Sequence, residues 1–331
     1  MNFLKNYEQF FSNEYSNYPS NKFISLFVLR ETQSEVIFRT EGSGEPIAKE
    51  IISSKWGSST YAVMSKRKAL AAERRTGREV LRNHSLLKET NEGKLCALNS
   101  QSSCGKCLDC NIYGFAVGDA GCMKARVLSS DAFSILSIDE ISDFRTFNAI
   151  YENGTMILDG ENSQSLGSSE YIRPGVHILD QIVLHDVSQT EFLYVLMNVL
   201  NTNRYGAMST RIGKMQNHLL GVAFSAQELG SNLQWLREIH EQLNSESRHP
   251  LALNEVTALA TEGLPILAKQ VNSQVSWVRG GDLNSMLNEF QTLAKTEKLI
   301  ELFNEQTENY VTTFTKSASE NGKKKPKKGD K

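Results

Sequence analysis

Five cysteines lie within residues 96–122, and the rest of the 331-residue chain contains none. Cys104, Cys107 and Cys110 have two residues between each successive pair. This spacing lets the sulfur atoms of one short segment reach a single metal ion, and Gly105 permits the sharp turn that this requires. Thiolates at such a spacing are typical zinc ligands, so we predict a structural zinc site in this segment.

A closed zinc site needs four ligands, so one more ligand must come from outside the three-cysteine run. We favour Cys96, with Cys122 and His84 as alternatives. Free thiols or a redox pair are other interpretations, as is an iron–sulfur cluster, although the Cys-Pro pair that closes a ferredoxin run is missing here. The odd number and the clustering of the cysteines argue against a secreted disulfide scaffold.

The net charge of −2 results from two segments of opposite sign. Residues 55–82 contain eight basic and two acidic residues, whereas residues 131–170 contain eight acidic residues and one arginine. The basic segment also contains hydroxyl and aromatic side chains, a mixture that is typical of a groove that follows a nucleic-acid backbone. A second basic stretch, residues 203–214, contains glycines whose backbone N–H groups can approach phosphate oxygens. The alternative interpretation of both stretches is a solvated surface.

The candidate nucleic-acid-binding residues are basic and aromatic side chains of these two stretches. They are Lys55, Trp56, Tyr61, Lys66, Arg67, Lys68, Arg74, Arg75, Arg78, Arg82, Arg204, Tyr205, Arg211 and Lys214. Lys and Arg would bind phosphates, and the aromatic rings would stack on bases.

The first part of the chain predicts strands that position these residues. Residues 22–29 and 35–40 are rich in β-forming residues on either side of a polar turn, so they predict an N-terminal hairpin. Residues 53–77 show no clean periodicity and are interpreted mainly as a long loop. A Thr followed three residues later by a Glu predicts a capping box that opens a helix over residues 76–87.

A βαβ unit is the best-defined pattern in the second part. Residues 124–149 alternate in the manner of strands, and residues 151–175 form a Gly-, Ser- and Asn-rich loop. Residues 176–185 and 218–224 predict two strands, and residues 188–200 between them combine a capping box with an apolar helical stripe. The pattern favours an α+β fold, most simply a ferredoxin-like or RNA-recognition-motif core with large insertions.

The C-terminal part predicts helices over residues 232–243 and 283–303, and residues 316–331 contain seven lysines and are predicted to be disordered. The N-terminus shows no export signal and the apolar stretches are too short to span a bilayer, which favours a cytoplasmic protein with no membrane partner.

Several motifs resemble the hallmark segments of one CRISPR protein family. The stretch CGKCLDCNIYGFAVGD at residues 104–119 and the preceding TGREVLR at residues 76–82 carry the resemblance. They are followed by TFNA at 146–149, FLYVLMNVL at 192–200 and RYGA at 204–207. From about residue 20 to about residue 245, the chain resembles the repeated backbone subunit of the type I-D Cascade effector, a member of the RAMP superfamily.

The resemblance implies a palm like an RNA-recognition motif, with insertions that form a zinc-bound finger and a thumb. Several copies would stack along one CRISPR RNA beside other Cascade subunits, and the guide RNA would pair with the target DNA. The candidate basic residues would then bind RNA. Our own hypothesis from the charge pattern is that the acidic segment meets the basic segment of the next copy. The implied division of the chain is a palm at 1–245, a helical part at 246–315 and a tail at 316–331. Within the palm lie a basic loop and helix at 53–87, a finger at 88–123 and a thumb at 150–175.

The predicted function is an RNA-binding scaffold in antiviral defence, without chemistry of its own. The alternative is a subunit that also cleaves target RNA through a loop aspartate, Asp119 or Asp131. An isolated aspartate beside glycines is more often a turn residue than a catalytic one, which favours the scaffold.

Overall fold

The computed structural model describes most of the chain. The described residues are 1–16, 18–39, 45–98, 101–117, 121–148, 150–158, 160–162, 166–206, 210–244 and 246–322. The strands are β1 (Phe23–Thr32), β2 (Lys49–Ser54), β3 (Gly57–Met64), β4 (Phe115–Val117), β5 (Gly121–Met123), β6 (Val127–Leu128), β7 (Ala132–Ser137), β8 (Ser142–Asn148), β9 (Ile157–Leu158), β10 (Glu161–Asn162), β11 (Leu166–Ile172), β12 (His177–His185), β13 (Met215–Ser225) and β14 (Ser276–Val278). The helices are α1 (Lys66–Asn83), α2 (Leu108–Tyr113), α3 (Ile138–Ile141), α4 (Gln189–Asn201), α5 (Asn232–Gln242), α6 (Leu253–Gly263), α7 (Gly280–Ala294) and α8 (Lys298–Gly322), with 3-10 turns at Phe3–Phe10 and Leu264–Ala268.

A large antiparallel sheet lies at the centre of the fold. Its strands run in the order β14-β13-β1-β12-β7-β3-β2, and β6 also pairs with β12. The central strand β1 has long partners on both sides, so that Ile24 lies opposite Leu184 of β12 and opposite Phe224 of β13. Since both faces of β1 are buried, its sequence is apolar almost without alternation. The prediction of an α+β protein with a helical C-terminal part is confirmed.

Helices carry the chain across this sheet. Helix α4 connects β12 to β13, two strands that flank β1 and are parallel to each other because each is antiparallel to β1. The chain likewise forms α1 between β1 and β7, which flank β12. The predicted βαβ unit is therefore confirmed, and Ser188 and Glu191 form its capping box.

Each face of the sheet packs against its own hydrophobic cluster. On one face, Leu26 packs in a cluster with α4, α8 and the cysteine segment. On the other face, Phe27 and Leu29 pack in a cluster with Trp235 of α5 and Ala260 of α6. The sheet is thus covered on both sides, which places any ligand site at its edges or on the outer faces of the helices.

Two local predictions about the N-terminal part are wrong. The predicted strand at residues 35–40, of which 35–39 are described, does not form a hairpin with β1, since Val36 instead makes an isolated bridge to Ile172. Residues 53–77 are not a loop but contain most of the β2–β3 hairpin and the first two thirds of α1, so Thr76 lies inside this helix and its hydroxyl donates to the Ala72 carbonyl. The pattern was misleading because the buried residues of α1 are small or charged except for Leu81, so they do not form a stripe of large apolar residues.

The later insertion and the C-terminus also contain more regular structure than the pattern predicts. Strands β8 and β11 form a two-stranded ribbon from residues that include part of the predicted loop at 151–175. The predicted helix at 283–303 is divided between α7 and α8, and α8 continues to Gly322, into the predicted tail. Residues 323–331 lie outside the described residues. Among the described residues, no helix is long and apolar enough to cross a membrane.

Candidate metal centre and nucleic-acid interface

Four buried cysteines converge in the segment that precedes and includes α2. The sulfur atoms of Cys96, Cys104, Cys107 and Cys110 all lie within 4.8 Å of one another. Cys96 Sγ is 3.6 Å from Cys110 Sγ and 4.0 Å from Cys107 Sγ. A tetrahedral zinc site with Zn–S bonds of about 2.3 Å needs S···S separations of about 3.8 Å, so this arrangement fits a zinc ion.

Of the three candidates for a fourth ligand, Cys96 is the one that lies with the other three cysteines among the described residues. Cys96 belongs to the cluster, whereas Cys122 is exposed on β5 and His84 follows the end of α1 as its C-cap residue. Neither of these two residues is part of the metal-binding group found among the described residues.

Backbone N–H groups already point at the sulfur atoms of this cluster. Lys106 N and Cys107 N donate to Cys104 Sγ at 3.4 and 3.3 Å, and Cys104 N donates to Cys96 Sγ at 3.3 Å. Gly105 adopts a φ of +65°, and a Cβ atom there would lie 2.6 Å from the Phe115 ring, so the turn requires glycine.

A buried ion pair attaches this cluster to α1. Asp109, which lies between Cys107 and Cys110, accepts hydrogen bonds from Arg74 Nη2 at 2.8 Å and from Arg78 Nη1 at 2.9 Å. Asp109 raises the pKa of both guanidinium groups, although burial alone would lower it. The sequence places an acid between two ligand cysteines, but its role was not predicted because its partners lie 31 and 35 residues earlier.

Part of the first basic stretch forms an exposed row on α1. Lys68, Arg75 and Arg82 are spaced by seven residues, which places them on one face of the helix at intervals of about 10.5 Å. Arg75 and Arg82 are exposed, Lys68 is partly exposed, and the exposed Arg67 lies beside the start of the row. We call Lys68, Arg75 and Arg82 the α1 basic row.

The described parts of the second basic stretch, residues 203–206 and 210–214, lie close to the start of this row. Arg204 bridges to Lys214, and its Nη1 donates to the Ile212 carbonyl at 3.0 Å. Gly206 lines the same cleft as Phe38 and Lys68, so the structure brings the two predicted stretches together at one place. Arg204, Arg211 and Lys214 are exposed there.

Other candidates from these stretches are buried and bound within the protein. Lys66 Nζ lies 2.5 Å from both oxygens of Asp180, and burial lowers its pKa. Tyr61 and Tyr205 are 3% and 4% exposed, which leaves no ring face for a base. Arg74 and Arg78 are held by Asp109, as described above. These five residues are therefore structural in this fold.

Lys55 and Trp56 dock the β2–β3 hairpin onto α5. Lys55 Nζ donates to the Glu241 carbonyl near the C-terminal end of α5, where a cation is favourable. The Trp56 ring lies 5.0 Å from the ring of His240, between centroids, and remains 39% exposed. The tip of the β2–β3 hairpin therefore contacts α5, which covers the face of the sheet opposite to α4.

The aspartates considered for catalysis have other surroundings. Asp131 Oδ1 accepts a hydrogen bond from Lys66 N at 2.7 Å, so it caps the N-terminus of α1. Asp119 lies outside the described residues. Several residues of the acidic segment are already paired within the chain: Glu140 with Arg248, Asp143 with Arg173 and Glu170 with Lys49.

Comparisons with known proteins give one family. The model of the Csc2 Crispr family matches residues 10–303. The crystal structure of Thermofilum pendens Csc2 has a similar fold, with a TM-score of 0.63 and 18% identity over 97% of this chain and 96% of that chain. A chain of a CRISPR RNA-guided surveillance complex in a pre-nicking state aligns with a TM-score of 0.48 and 8% identity over 78% of this chain and 92% of that chain. The search of curated proteins found no match. The predicted membership in a CRISPR protein family is confirmed: the chain belongs to the Csc2 Crispr family.

Proposed function

We propose that this chain is a CRISPR RNA-binding backbone subunit of a type I-D Cascade complex and that it has no chemistry of its own. It binds the guide RNA through phosphates and leaves the bases free to pair with target DNA. The observation that carries the proposal is the α1 basic row, in which Arg75 and Arg82 are exposed and Lys68 is partly exposed, beside the second basic stretch in a chain of this family.

The strand order supports the palm that the resemblance implies. Strands β13, β1, β12 and β7 with the crossing helices α1 and α4 have the arrangement of a ferredoxin-like fold. In this division of the chain, residues 88–123 are the finger and residues 150–175, which include β11 of the two-stranded ribbon, are the thumb. Residues 246–315, with α6, α7 and most of α8, are the helical part.

The covered sheet favours a different binding surface from that of a typical RNA-recognition motif. Such domains stack bases on an open sheet face. Here α5 and α6 cover that face, and Trp235 packs against Phe27 with ring centroids 5.5 Å apart. We therefore propose that RNA follows the outer side of α1, towards the stretch that contains Arg204 and Lys214.

A double substitution in the α1 basic row tests RNA binding. We expect Arg75→Ala with Arg82→Ala to weaken binding of single-stranded RNA similarly for every sequence, because phosphates carry no sequence information. The slope of log K against log salt should decrease by about 0.7 for each lost phosphate contact. Titrations at several salt concentrations measure both effects.

Arg237→Ala is the matched control, since Arg237 is exposed on α5, away from the row. An unchanged affinity of the double variant, or a loss confined to one RNA sequence, would contradict the proposal.

We propose zinc as the metal of the four-cysteine cluster, since the four buried sulfurs and their separations suit a tetrahedral ion. Cys96, Cys104, Cys107 and Cys110 hold it, and its role is structural. Elemental analysis should give one equivalent of zinc, and Cys96→Ser should reduce it to well under half.

Cys122→Ser is the control for the zinc measurement, because this exposed thiol lies outside the cluster and its loss should leave the zinc content unchanged. Iron with a visible chromophore in place of zinc, or a loss of metal in Cys122→Ser, would show that the assignment is wrong.

A further inference from the structure

Asp109 joins the cysteine cluster to α1 at the centre of the molecule. Its side chain is fully buried, and it receives hydrogen bonds from both Arg74 and Arg78. Arg78 also donates from Nη2 to the Cys96 carbonyl at 2.6 Å. Helix α1 is therefore attached to two parts of the cluster, helix α2 and the segment that carries Cys96.

The positions of these contacts around α1 matter for the α1 basic row. At about 100° per residue, Arg74 and Arg78 lie on the flank next to Arg75 and Arg82. Glu73 lies on the opposite side, where its carboxylate accepts from Arg30 of β1 at 2.6 Å. Other contacts hold the rest of the helix: Thr202 next to α4 donates to Thr76, and Ala72 and Leu81 lie in the two core clusters. The contacts to Asp109 hold the flank of α1 that lies next to the α1 basic row.

We propose that Asp109 is a positioning residue through which the metal-bound cysteine cluster holds the α1 basic row in its RNA-binding orientation. This inference rests on the proposed RNA-binding function. A metal held by the four cysteines would order α2 and with it Asp109, whose contacts with Arg74 and Arg78 hold the flank of α1 next to the row. Loss of the metal would then weaken RNA binding without any contact between the cluster and RNA.

The test combines Asp109→Asn with removal of the metal by a chelator. The probe is a single-stranded RNA with a CRISPR spacer sequence, titrated at several salt concentrations. In the metal-bound protein, we expect Asp109→Asn to lower affinity roughly tenfold and to reduce the salt slope, since fewer phosphates are contacted at once. The chelator should cause a similar loss in the unsubstituted protein and little further loss in Asp109→Asn.

Three variants complete the design. Asp109→Glu keeps the charge and should restore part of the affinity. Arg74→Met breaks the same contact from the α1 side at a partly exposed position, so it replaces Asp109→Asn if that variant does not fold. Glu79→Gln removes an exposed carboxylate from the same helix and should leave the affinity unchanged or slightly raised.

Two outcomes would overturn the inference. One is unchanged RNA binding in folded Asp109→Asn and Arg74→Met. The other is an equal further loss on chelation in Asp109→Asn, because the cluster would then act on RNA by another route. A failure of the proposed function would give a different result, because the double variant Arg75→Ala with Arg82→Ala would then bind RNA with normal affinity.

Discussion

At the scale of single residues, the charges of α1 divide into those that hold the helix and those that remain on its surface. Arg30 is fully buried in β1, where it contacts Asp180, Glu73, Tyr205 and Asn217. Lys66 adds a second cation to Asp180, so two bases and two acids form a neutral network between the sheet and the helix. Burying such charges is costly, and the network is favourable only while every member is paired.

Asp180→Asn should therefore be strongly destabilising. It leaves Arg30 and Lys66 without their shared carboxylate, and we expect a loss of about 3–5 kcal/mol in the free energy of unfolding, measured by denaturant titration. Burial alone would raise the pKa of Asp180, but Lys66 and Arg30 lower it below its ordinary value of 3.8. The stabilisation by the Asp180 carboxylate is therefore fully present above pH 3.8 and is lost as the pH falls below this value. The difference in the free energy of unfolding between the unsubstituted protein and Asp180→Asn should therefore become smaller in acid.

The control for Asp180→Asn is Asp143→Asn, which removes a half-exposed partner of Arg173. That change should cost less than about 1 kcal/mol. Equal effects of the two substitutions would show that the buried network contributes no more than a surface pair.

At the scale of elements, a side chain of α5 completes the sheet where two strands fail to meet. Strand β12 pairs with β7 at Leu179 and with β6 at Val183, which leaves a gap between them. Asn232 fills this gap: its Oδ1 accepts from Gln181 N at 2.8 Å, and its Nδ2 donates to the carbonyls of Ser130 and Asp131 at 3.3 and 3.1 Å. Helix α5 is thereby fixed to the sheet by polar contacts as well as by its apolar face.

Asn232→Ala should remove the side-chain partner of all three backbone groups. Gln181 is buried, so its N–H would be left unsatisfied, whereas Ser130 and Asp131 are exposed residues whose carbonyls water can reach. We therefore expect a loss of about 1–3 kcal/mol in the free energy of unfolding. Thermal or denaturant unfolding measures this effect. Asn201→Ala, at the exposed end of α4, should change stability by less than about 0.5 kcal/mol. A similarly small effect at Asn232 would mean that water replaces its contacts.

At the scale of the whole molecule, the ribbon of β8 and β11 exposes apolar side chains that the rest of the fold does not cover. Phe144 is 70% exposed and Ile157, beyond the end of β8, is 51% exposed. The root of the ribbon is fixed, since Arg145 pairs with Glu35 and Ile172 bridges to Val36. A fixed ribbon with exposed apolar side chains is suited to contact with another protein, and we propose the neighbouring copy as that partner.

Phe144→Ser tests this contact between copies. We expect a shorter assembly on a given guide RNA, measured by size-exclusion chromatography with light scattering, and an unchanged unfolding temperature, because Phe144 is not part of either core cluster. Tyr18→Ser removes a ring that is even more exposed but lies elsewhere, and it should leave the assembly length unchanged. If both variants assemble like the unsubstituted chain, the ribbon does not join copies in this way.

The sequence by itself determined the features that depend on short-range spacing. The C-x2-C-x2-C run predicted the metal cluster, and the apolar stripe after Ser188 predicted α4 with its strands, because these patterns follow from local geometry. The sequence motifs also identified the family. By contrast, the hairpin at residues 22–40 was predicted wrongly, because the partners of a central strand are chosen by burial across the sheet and not by proximity in the chain.

Only the tertiary structure decided which basic residues face solvent. Lys66 and Lys68 are two residues apart and chemically alike, yet one is bound to Asp180 and the other starts the α1 basic row. Asp180 and Asp109 lie far from α1 in the chain, so nothing near Arg74 or Lys66 in the sequence indicates that they are paired. A buried charge is stable only when it is paired and hydrogen-bonded, and the partner comes from whichever part of the chain the fold places beside it. The identity of that partner is therefore seen only in the tertiary structure.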